Sequence, residues 1–239
     1  MPARDSKRID PVPSHLALIP DGNRRWSRSH RFSLYHGYDY GIKKFMDFSM
    51  WAKSFGVKTI TVWALSTENV KKRSRLELGA LYQLYIKSAR DPAILARLAK
   101  NQARVKIIGN LRMLPKKLKD ALRYLEKATL AYKELTINIL VGYGGKEDIL
   151  HAFKSLQGKA NDARGVDEEF IARHIRTASV PDVDLIVRTS GEMRLSGFLP
   201  WQSDYSELYF AKKYWPDFEK RDLERALREF AYRERRFGR

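Results

Sequence analysis

Four short runs of this chain gather the residue types that handle anionic groups. The first is Asp21-Gly22-Asn23-Arg24-Arg25-Trp26, which follows the apolar run HLALIP. A glycine beside an asparagine lets the backbone turn sharply and expose several N–H groups, and a helix starting there would aim its positive end at the same point. Arg24 and Arg25 add fixed charge suited to phosphate oxygens. Asp21 is an acid in surroundings that otherwise favour anions, and its simplest use is to hold Mg²⁺ between itself and a phosphate. The alternative is an ordinary strand-to-helix turn in which Asp21 caps and the arginines are solvated. The second run, Arg188-Thr-Ser-Gly-Glu-Met-Arg-Leu-Ser, carries Arg188, Arg194, Ser190 and Ser196. Two guanidiniums with hydroxyls and glycine-exposed amides can surround a diphosphate, and Glu192 between them could orient the arginines. The third, Leu65-Ser-Thr-Glu-Asn69, ends an apolar strand in hydroxyl, carboxylate and amide groups. Ser66 or Thr67 could cap the next helix with Glu68 in its first turn; alternatively Ser66 and Asn69 contact a diphosphate or steer a proton. The fourth is Glu207 within DYSELYF, an acid in an aromatic strand, where an unpaired carboxylate is costly. It needs either an arginine or a metal.

The elements that must position these runs follow from the periodicity. Short β-branched apolar runs at 16–20, 59–65, 105–109, 136–141, 185–188 and 207–210 alternate with helical patterns at 41–55, 76–100, 115–132, 146–157, 167–177 and 219–236. Such alternation predicts an α/β fold with a single parallel sheet of about six strands surrounded by helices. In a doubly wound sheet ligands bind beyond the carboxyl ends of the strands, which is where the runs after 20, 65 and 188 fall. Pro92 lies inside the helical pattern at 76–100 and should bend or break it, since it lacks an N–H and its ring crowds the preceding turn. The stretch 158–166 reads as a surface loop. No repeat or linker divides the chain, so residues 1–239 are expected to form one domain with a short flexible segment at about 1–13.

Composition narrows the classes. With 239 residues and 44% hydrophobic content, the chain can bury one substantial core. There is no cysteine, which removes disulfides, thiolate chemistry and cysteine-held zinc. No run suits a membrane helix, and the first residues lack the apolar core of a signal peptide, so a cytoplasmic protein is expected. Lysine and arginine number 46 against 28 acidic residues, a net charge of +18. That excess draws polyanions: nucleic acid, an anionic membrane face or diphosphates. No zinc finger, RNP-like strand or recognition helix is present, so nucleic acid is not expected as the partner, whereas peripheral association with anionic membrane stays open.

The runs HLALIPDGNRRW, ALSTEN, GYGGKEDI and VDLIVRTSGEMRLSGFLPWQSDYSELYF, with WPDF after them, occur in an order and spacing that resembles the cis-prenyltransferase family, the undecaprenyl and dehydrodolichyl diphosphate synthases. The resemblance covers the chain from about residue 15 onward. It implies a hydrophobic tunnel between the sheet and two helices, a homodimer and Mg²⁺ dependence. The implied reaction condenses an allylic prenyl diphosphate with isopentenyl diphosphate. Irregular transfer to another acceptor and a non-catalytic subunit role are the alternatives. By the same resemblance Asp21 holds Mg²⁺, and the allylic diphosphate lies against Gly22, Asn23, Arg24, Arg25 and Trp26. Arg188, Arg194 and Ser196 bind isopentenyl diphosphate, Asn69 acts with Asp21 in catalysis, and Ser66 lines the site. Glu207 reaches the metal across the dimer, and Arg236 and Gly238 reach the partner's site. The chain departs from the family pattern at Tyr38, where Gly-His-x-x-Gly reads Gly37-Tyr38-Asp39-Tyr40-Gly41, and at LSTENV, where the following arginine is Lys72 or Arg73 and Ser74 replaces a proline. Tyr38 keeps a hydrogen bond for the diphosphate and loses the imidazolium charge. Tyr82 and Tyr85, on a helical apolar face with Leu78, Leu81 and Ile86, either shorten the tunnel or simply pack the core.

Overall fold

The computed structural model of the protein describes residues 9–155 and 167–233. Six strands, β1 (His15–Ile19), β2 (Thr59–Ser66), β3 (Ala103–Ile108), β4 (Leu135–Tyr143), β5 (Leu185–Arg188) and β6 (Glu207–Phe210), form one sheet in the order β3-β4-β2-β1-β5-β6. Every pairing is parallel. The order reverses at β1, which has β2 on one side and β5 on the other. That is the topological switch point, where the loops leave the sheet in opposite directions and open a crevice. The register sets Ile19 against Arg188, so the loops that follow β1 and β5 start side by side.

All five residues of β1 are buried, as expected of a strand covered on both faces. Their alternation divides the core: Leu16 and Leu18 join the larger cluster under the helices, while Ala17 and Ile19 join a smaller one with Phe198 and Leu199. The chain carries nine helices among its described residues: α1 (Asn23–Ser29), α2 (Leu34–Phe55), α3 (Thr67–Lys72), α4 (Arg75–Ala89), α5 (Pro92–Lys100), α6 (Lys116–Ala128), α7 (Gly145–Lys154), α8 (Glu168–His174) and α9 (Lys220–Tyr232). Of these, α2, α4, α6 and α9 supply the larger cluster.

Two helix boundaries show how local chemistry and packing divide the work. The break expected at Pro92 is present: α4 stops at Ala89, and Asp91 caps α5 by accepting from the N–H groups of Ala93 at 2.8 Å and Ile94 at 3.3 Å. Proline at the first helical position loses no hydrogen bond, so it starts α5 instead of kinking one long helix. The second boundary corrects the expectation that a helix begins at residue 41. It begins at Leu34, capped by Ser33, because Gly37 and Gly41 let α1 lie against α2. A Cβ would fall 1.9 Å from Ser27 Oγ at Gly37 and 2.4 Å from Asn23 Oδ1 at Gly41. Glycines that read as helix-breaking are contact points.

Between the sheet and helices α2 and α4 lies a cavity of about 810 Å³. Phe45, Met46, Leu81 and Tyr85 line it from α2 and α4, Ile137 and Ile139 from β4, and Leu98, Val105 and Leu125 from α5, β3 and α6. Protein interiors hold few voids larger than a water molecule, so space of this size is part of the architecture. An apolar cavity thus stands between the sheet and two helices, where the resemblance implies a tunnel. At the start of the described chain Ile9 and Val12 pack against the larger cluster, so not all of 1–13 stands apart from the fold. The loop expected at 158–166 lies outside the described residues. No helix among the described residues is long and apolar enough to cross a membrane.

Candidate active site

The carboxyl ends of β1 and β5 carry a charged group at the cavity mouth. Asp21 follows Ile19 by two residues, and its carbonyl accepts from Trp215 N–H at 3.0 Å and from Thr189 Oγ1 at 2.7 Å. Gly22 beside it sits at φ +104°, where a Cβ would meet Tyr214 Cδ1 at 2.7 Å, so glycine is required twice over. The Asp21 carboxylate lies between two guanidiniums, with Oδ2 2.9 Å from Arg188 Nη2 and Oδ1 3.3 Å from Arg25 Nη2. Burial pushes its pKa up, but the hydrogen bond and charge of Arg188, with Arg25 behind it, outweigh that and hold the carboxyl below its ordinary value.

Arg188 is itself buried and held from the other side, donating through Nη1 to Ser196 Oγ at 3.0 Å and to the Arg194 carbonyl. The 189–196 loop is forced into an unusual shape to do this. Ser190 and Ser196 adopt φ +75° and +56°, left-handed values that cost a non-glycine residue energy unless its surroundings impose them. The imposition is visible: Ser190 and Gly191 donate their N–H groups to the carbonyls of Lys213 and Ala211, at 2.6 and 2.8 Å. Arg25 donates to Ser190 Oγ at 2.6 Å and to Glu192 at 2.9 Å, and Glu192 also takes Arg194 at 2.5 Å. Of the two arginines that flank it in sequence, Glu192 thus holds Arg194, while Arg188 pairs with Asp21 and its place at Glu192 is taken by Arg25.

A second charged group closes the mouth from the helical side. Tyr38 on α2 is buried and donates its phenol proton to Glu77 Oε1 at 2.7 Å. Burial pushes that phenol up, against the opposing charge of Arg73 and helped by the bond to Glu77, so it remains protonated. Arg73 lies over the Tyr38 ring at 5.4 Å, and its Nε is 3.4 Å from Glu77; Arg24 Nε approaches Glu77 at 3.8 Å. The arginine after the STEN segment is therefore Arg73, which lines the cavity, while Lys72 is exposed. Ser66 caps α3 by accepting from the Asn69 N–H at 3.0 Å, and both residues line the cavity, so capping and site placement are not exclusive. Ser74 takes the proline's place by capping α4, accepting from the Glu77 N–H at 3.2 Å. Glu77 was not picked out from sequence. Its place three residues after a serine, as in a capping box, is the signal that masks its second use.

Asp21, Asn23, Arg24, Tyr38, Ser66, Asn69, Arg188 and Ser196 all line the cavity; Gly22 and Arg25 line a smaller pocket that shares Asp21, Asn23, Arg24 and Tyr38 with it. Three of the remaining residues stand apart. Trp26 is buried beside the site and donates its indole N–H to Asp217 at 2.7 Å. Arg194 lies on the exposed side of the 189–196 loop, tied to Glu192. Glu207 begins β6, level with Leu185 and not with Arg188, and pairs with Arg233 at 2.6 Å. Three residues of strand put it about 10 Å behind the end of the sheet where Asp21 lies. Within one chain the arginine explanation of Glu207 is the one present. Arg236 and Gly238 lie outside the described residues. Tyr85, one of the two helical tyrosines, lines the cavity and donates to the Ala64 carbonyl at 2.7 Å, where β2 is irregular in register. Tyr82 packs against the core.

The donor set bears on the metal. Among the described residues no three histidines or acids gather closely enough to hold an ion. Asp21 offers one carboxylate, ringed by guanidiniums that suit phosphate. Mg²⁺ commonly takes one or two carboxylates together with substrate phosphates and keeps water for its other positions. The residues fit an ion that arrives with, and is shared by, a diphosphate.

Comparison with known proteins points the same way. Residues 19–238 match the family model of undecaprenyl diphosphate synthases. The isoprenyl transferase of Thermus thermophilus is 43% identical over 99% of this chain and 92% of its own. The tritrans,polycis-undecaprenyl-diphosphate synthase of Sulfolobus acidocaldarius, named as specific for geranylgeranyl diphosphate, is 41% identical over 95% of this chain and 88% of its own. The crystal structure of lavandulyl diphosphate synthase from Lavandula x intermedia with dimethylallyl diphosphate superposes with a TM-score of 0.88 at 33% identity, covering 95% of this chain and 99% of that one.

Proposed function

Since the chain belongs to the undecaprenyl diphosphate synthase family, the cis-prenyltransferases, we propose that its cavity mouth is a two-diphosphate site at which Mg²⁺ and the arginines divide the work of cis-prenyl elongation. The enzyme is a prenyltransferase that condenses an allylic prenyl diphosphate with isopentenyl diphosphate. The observation that carries the site assignment is Asp21 held between Arg188 and Arg25 where the apolar cavity opens.

The allylic diphosphate sits against the turn of Gly22 and Asn23 and the guanidiniums of Arg24, Arg25 and Arg73, with its hydrocarbon in the cavity. Isopentenyl diphosphate sits against Arg188, Arg194 and Ser196. Bound Mg²⁺, held by Asp21 and the diphosphates, would supply charge stabilisation to the departing diphosphate. The arginines are fixed before substrate arrives, so they oppose the developing negative charge without reorganising. The apolar walls keep water from an allylic carbon that becomes cation-like, and the two anchored heads set the acceptor double bond beside it. Asn69 and Ser66 guide the acceptor as it loses its proton, a role supported by their lining the cavity together with Glu68. Geranylgeranyl diphosphate is the donor of first choice, because the Sulfolobus relative carries that specificity in its name. A homodimer is part of the reading, since Glu207 and Asp21 can share a site only if Glu207 comes from a second copy.

Incubation of the purified protein with Mg²⁺ and labelled dimethylallyl, geranyl, farnesyl or geranylgeranyl diphosphate, each with and without isopentenyl diphosphate, tests this. Cis-elongated chains that require isopentenyl diphosphate and disappear on chelation of the metal are expected. Products from allylic diphosphates alone would indicate irregular transfer, and no product under any condition would return the chain to a supporting-subunit role.

A further inference from the structure

Elongation leaves one face of the molecule without a task. Where α1 meets the first turns of α2, aromatic side chains stand in the open: Phe32, Tyr35 and Tyr40 are 50%, 42% and 49% exposed. Buried Trp26 forms their floor, with ring centroids 4.6 Å from His30, 5.5 Å from Phe32 and 5.2 Å from Tyr40; His36 lies 5.8 Å beyond Phe32. Arg28, Arg31, Lys43 and Lys44 stand among them, and Lys44 lies 5.8 Å from the Tyr40 ring centroid. Among the described residues the only ion pair these four cations make is that of Lys43 with Asp39, at 2.6 Å.

We propose that this aromatic, basic corner is the face by which the protein rests on an anionic lipid bilayer. Rings with an apolar body and a polar edge are at home in the headgroup layer, and each nearby lysine or arginine adds attraction to anionic lipid. The net charge of +18 points the same way at long range. A second copy of this chain is a poor occupant, because the same cations would face one another across a self-complementary contact. Nucleic acid is a poor occupant for a different reason. Trp26 stacks on Tyr40, and Phe32 on His30 and His36, so apart from Tyr35 each exposed ring already has another ring against it, whereas base binding requires open faces. Position completes the argument: Arg28 lines a smaller pocket that shares Asp21, Asn23, Arg24, Tyr38 and Arg73 with the main cavity, which sets the corner next to the charged group. That last step rests on the elongation reading, in which a lengthening hydrocarbon must leave water.

The test is co-sedimentation of the full chain with phosphatidylcholine vesicles, with and without phosphatidylglycerol, alongside turnover of a short allylic diphosphate with isopentenyl diphosphate and Mg²⁺ in the absence of vesicles. The protein should bind only the phosphatidylglycerol-containing vesicles. The double variant Arg31→Ala/Lys44→Ala should lower the partition coefficient about 20- to 30-fold at low salt. Phe32→Ser/Tyr40→Ser should lower it about tenfold. Both should keep wild-type turnover without vesicles and a wild-type melting temperature. Unchanged vesicle binding by both variants overturns the proposal, and so does variant-sensitive binding to a single-stranded oligonucleotide with none to vesicles. Loss of turnover in the wild type would instead count against the enzymatic reading, because vesicle binding is measured separately.

Discussion

At the scale of single residues, the site is organised by two acids surrounded by cations. Asp21 is held below its ordinary pKa by Arg188 and Arg25. A carboxyl with a lowered folded-state pKa contributes stability that is present above its unfolded value and is lost as pH falls through the folded one. Asp21→Asn is therefore expected to cost about 1–3 kcal/mol of unfolding free energy at neutral pH. That difference should shrink as pH falls below the ordinary carboxylate range, first as the unfolded chain takes up its proton and then as the folded carboxyl does. Urea midpoints of the two proteins across pH decide it, and a gap that widens on acidification would refute the sign. Glu77 is the second acid. It holds Arg24 and Arg73 together while Tyr38 donates to it, so in the proposed site Tyr38 would act on a diphosphate only through Glu77 and the arginines. Glu77→Gln keeps an acceptor for Tyr38 and loses the charge that gathers the guanidiniums. KM for the allylic diphosphate should rise about tenfold, a loss of about 1.4 kcal/mol, with KM for isopentenyl diphosphate within about twofold. A fall in the allylic KM would mean that Glu77 acts only as a competing charge.

At the scale of elements, the site depends on how closely α1 can lie against α2. Asn23 and Arg24 reach the mouth because Gly41 admits the Asn23 side chain against the helix. Gly41→Ala would place a methyl 2.4 Å from Asn23 Oδ1 and 3.2 Å from Trp215 Cδ1. Overpacking of this kind costs about 1–3 kcal/mol, more than the helix propensity that alanine returns. The expected result is a lower urea midpoint together with weaker allylic diphosphate binding, since Asn23 must move. A stabilised variant would show that the contact is softer than its geometry. The strained serines 190 and 196 belong to the same scale: strand β6 and the segment after it hold the loop that sets Arg188.

At the scale of the whole molecule, Asp21 and Glu207 lie at opposite ends of the strands, so a shared site requires two copies of the chain. If Glu207 serves the partner's site, inactive Asp21→Ala and Glu207→Ala chains should recover activity when allowed to exchange subunits, because one site of the mixed dimer then has both acids intact. Recovery should be absent if each chain uses its own Glu207. Sedimentation velocity on the same samples should show a dimer. The 810 Å³ cavity is also a property of the whole, since its walls come from α2, α4, β2, β4 and α6 together.

Much of this was legible in the chain itself. Strand β5 falls on the expected residues because a parallel sheet buried on both faces demands continuous apolar runs, and β6, at the edge with only Tyr209 buried, was marked by the apolar, aromatic run that follows Glu207. Asp21, Arg188 and their neighbouring hydroxyls could be named because residues just past such strands line the crevice. The break at Pro92 needed only the geometry of proline. What the linear pattern could not give was anything settled by contact between distant segments. Gly37 and Gly41 lie inside a helix because α1 packs there, Tyr38 turns to Glu77 on another helix, and Glu207 stands at the end of the sheet away from Asp21. In each case the deciding partner is far along the chain, and local chemistry fixes the kind of group present without fixing what it will meet.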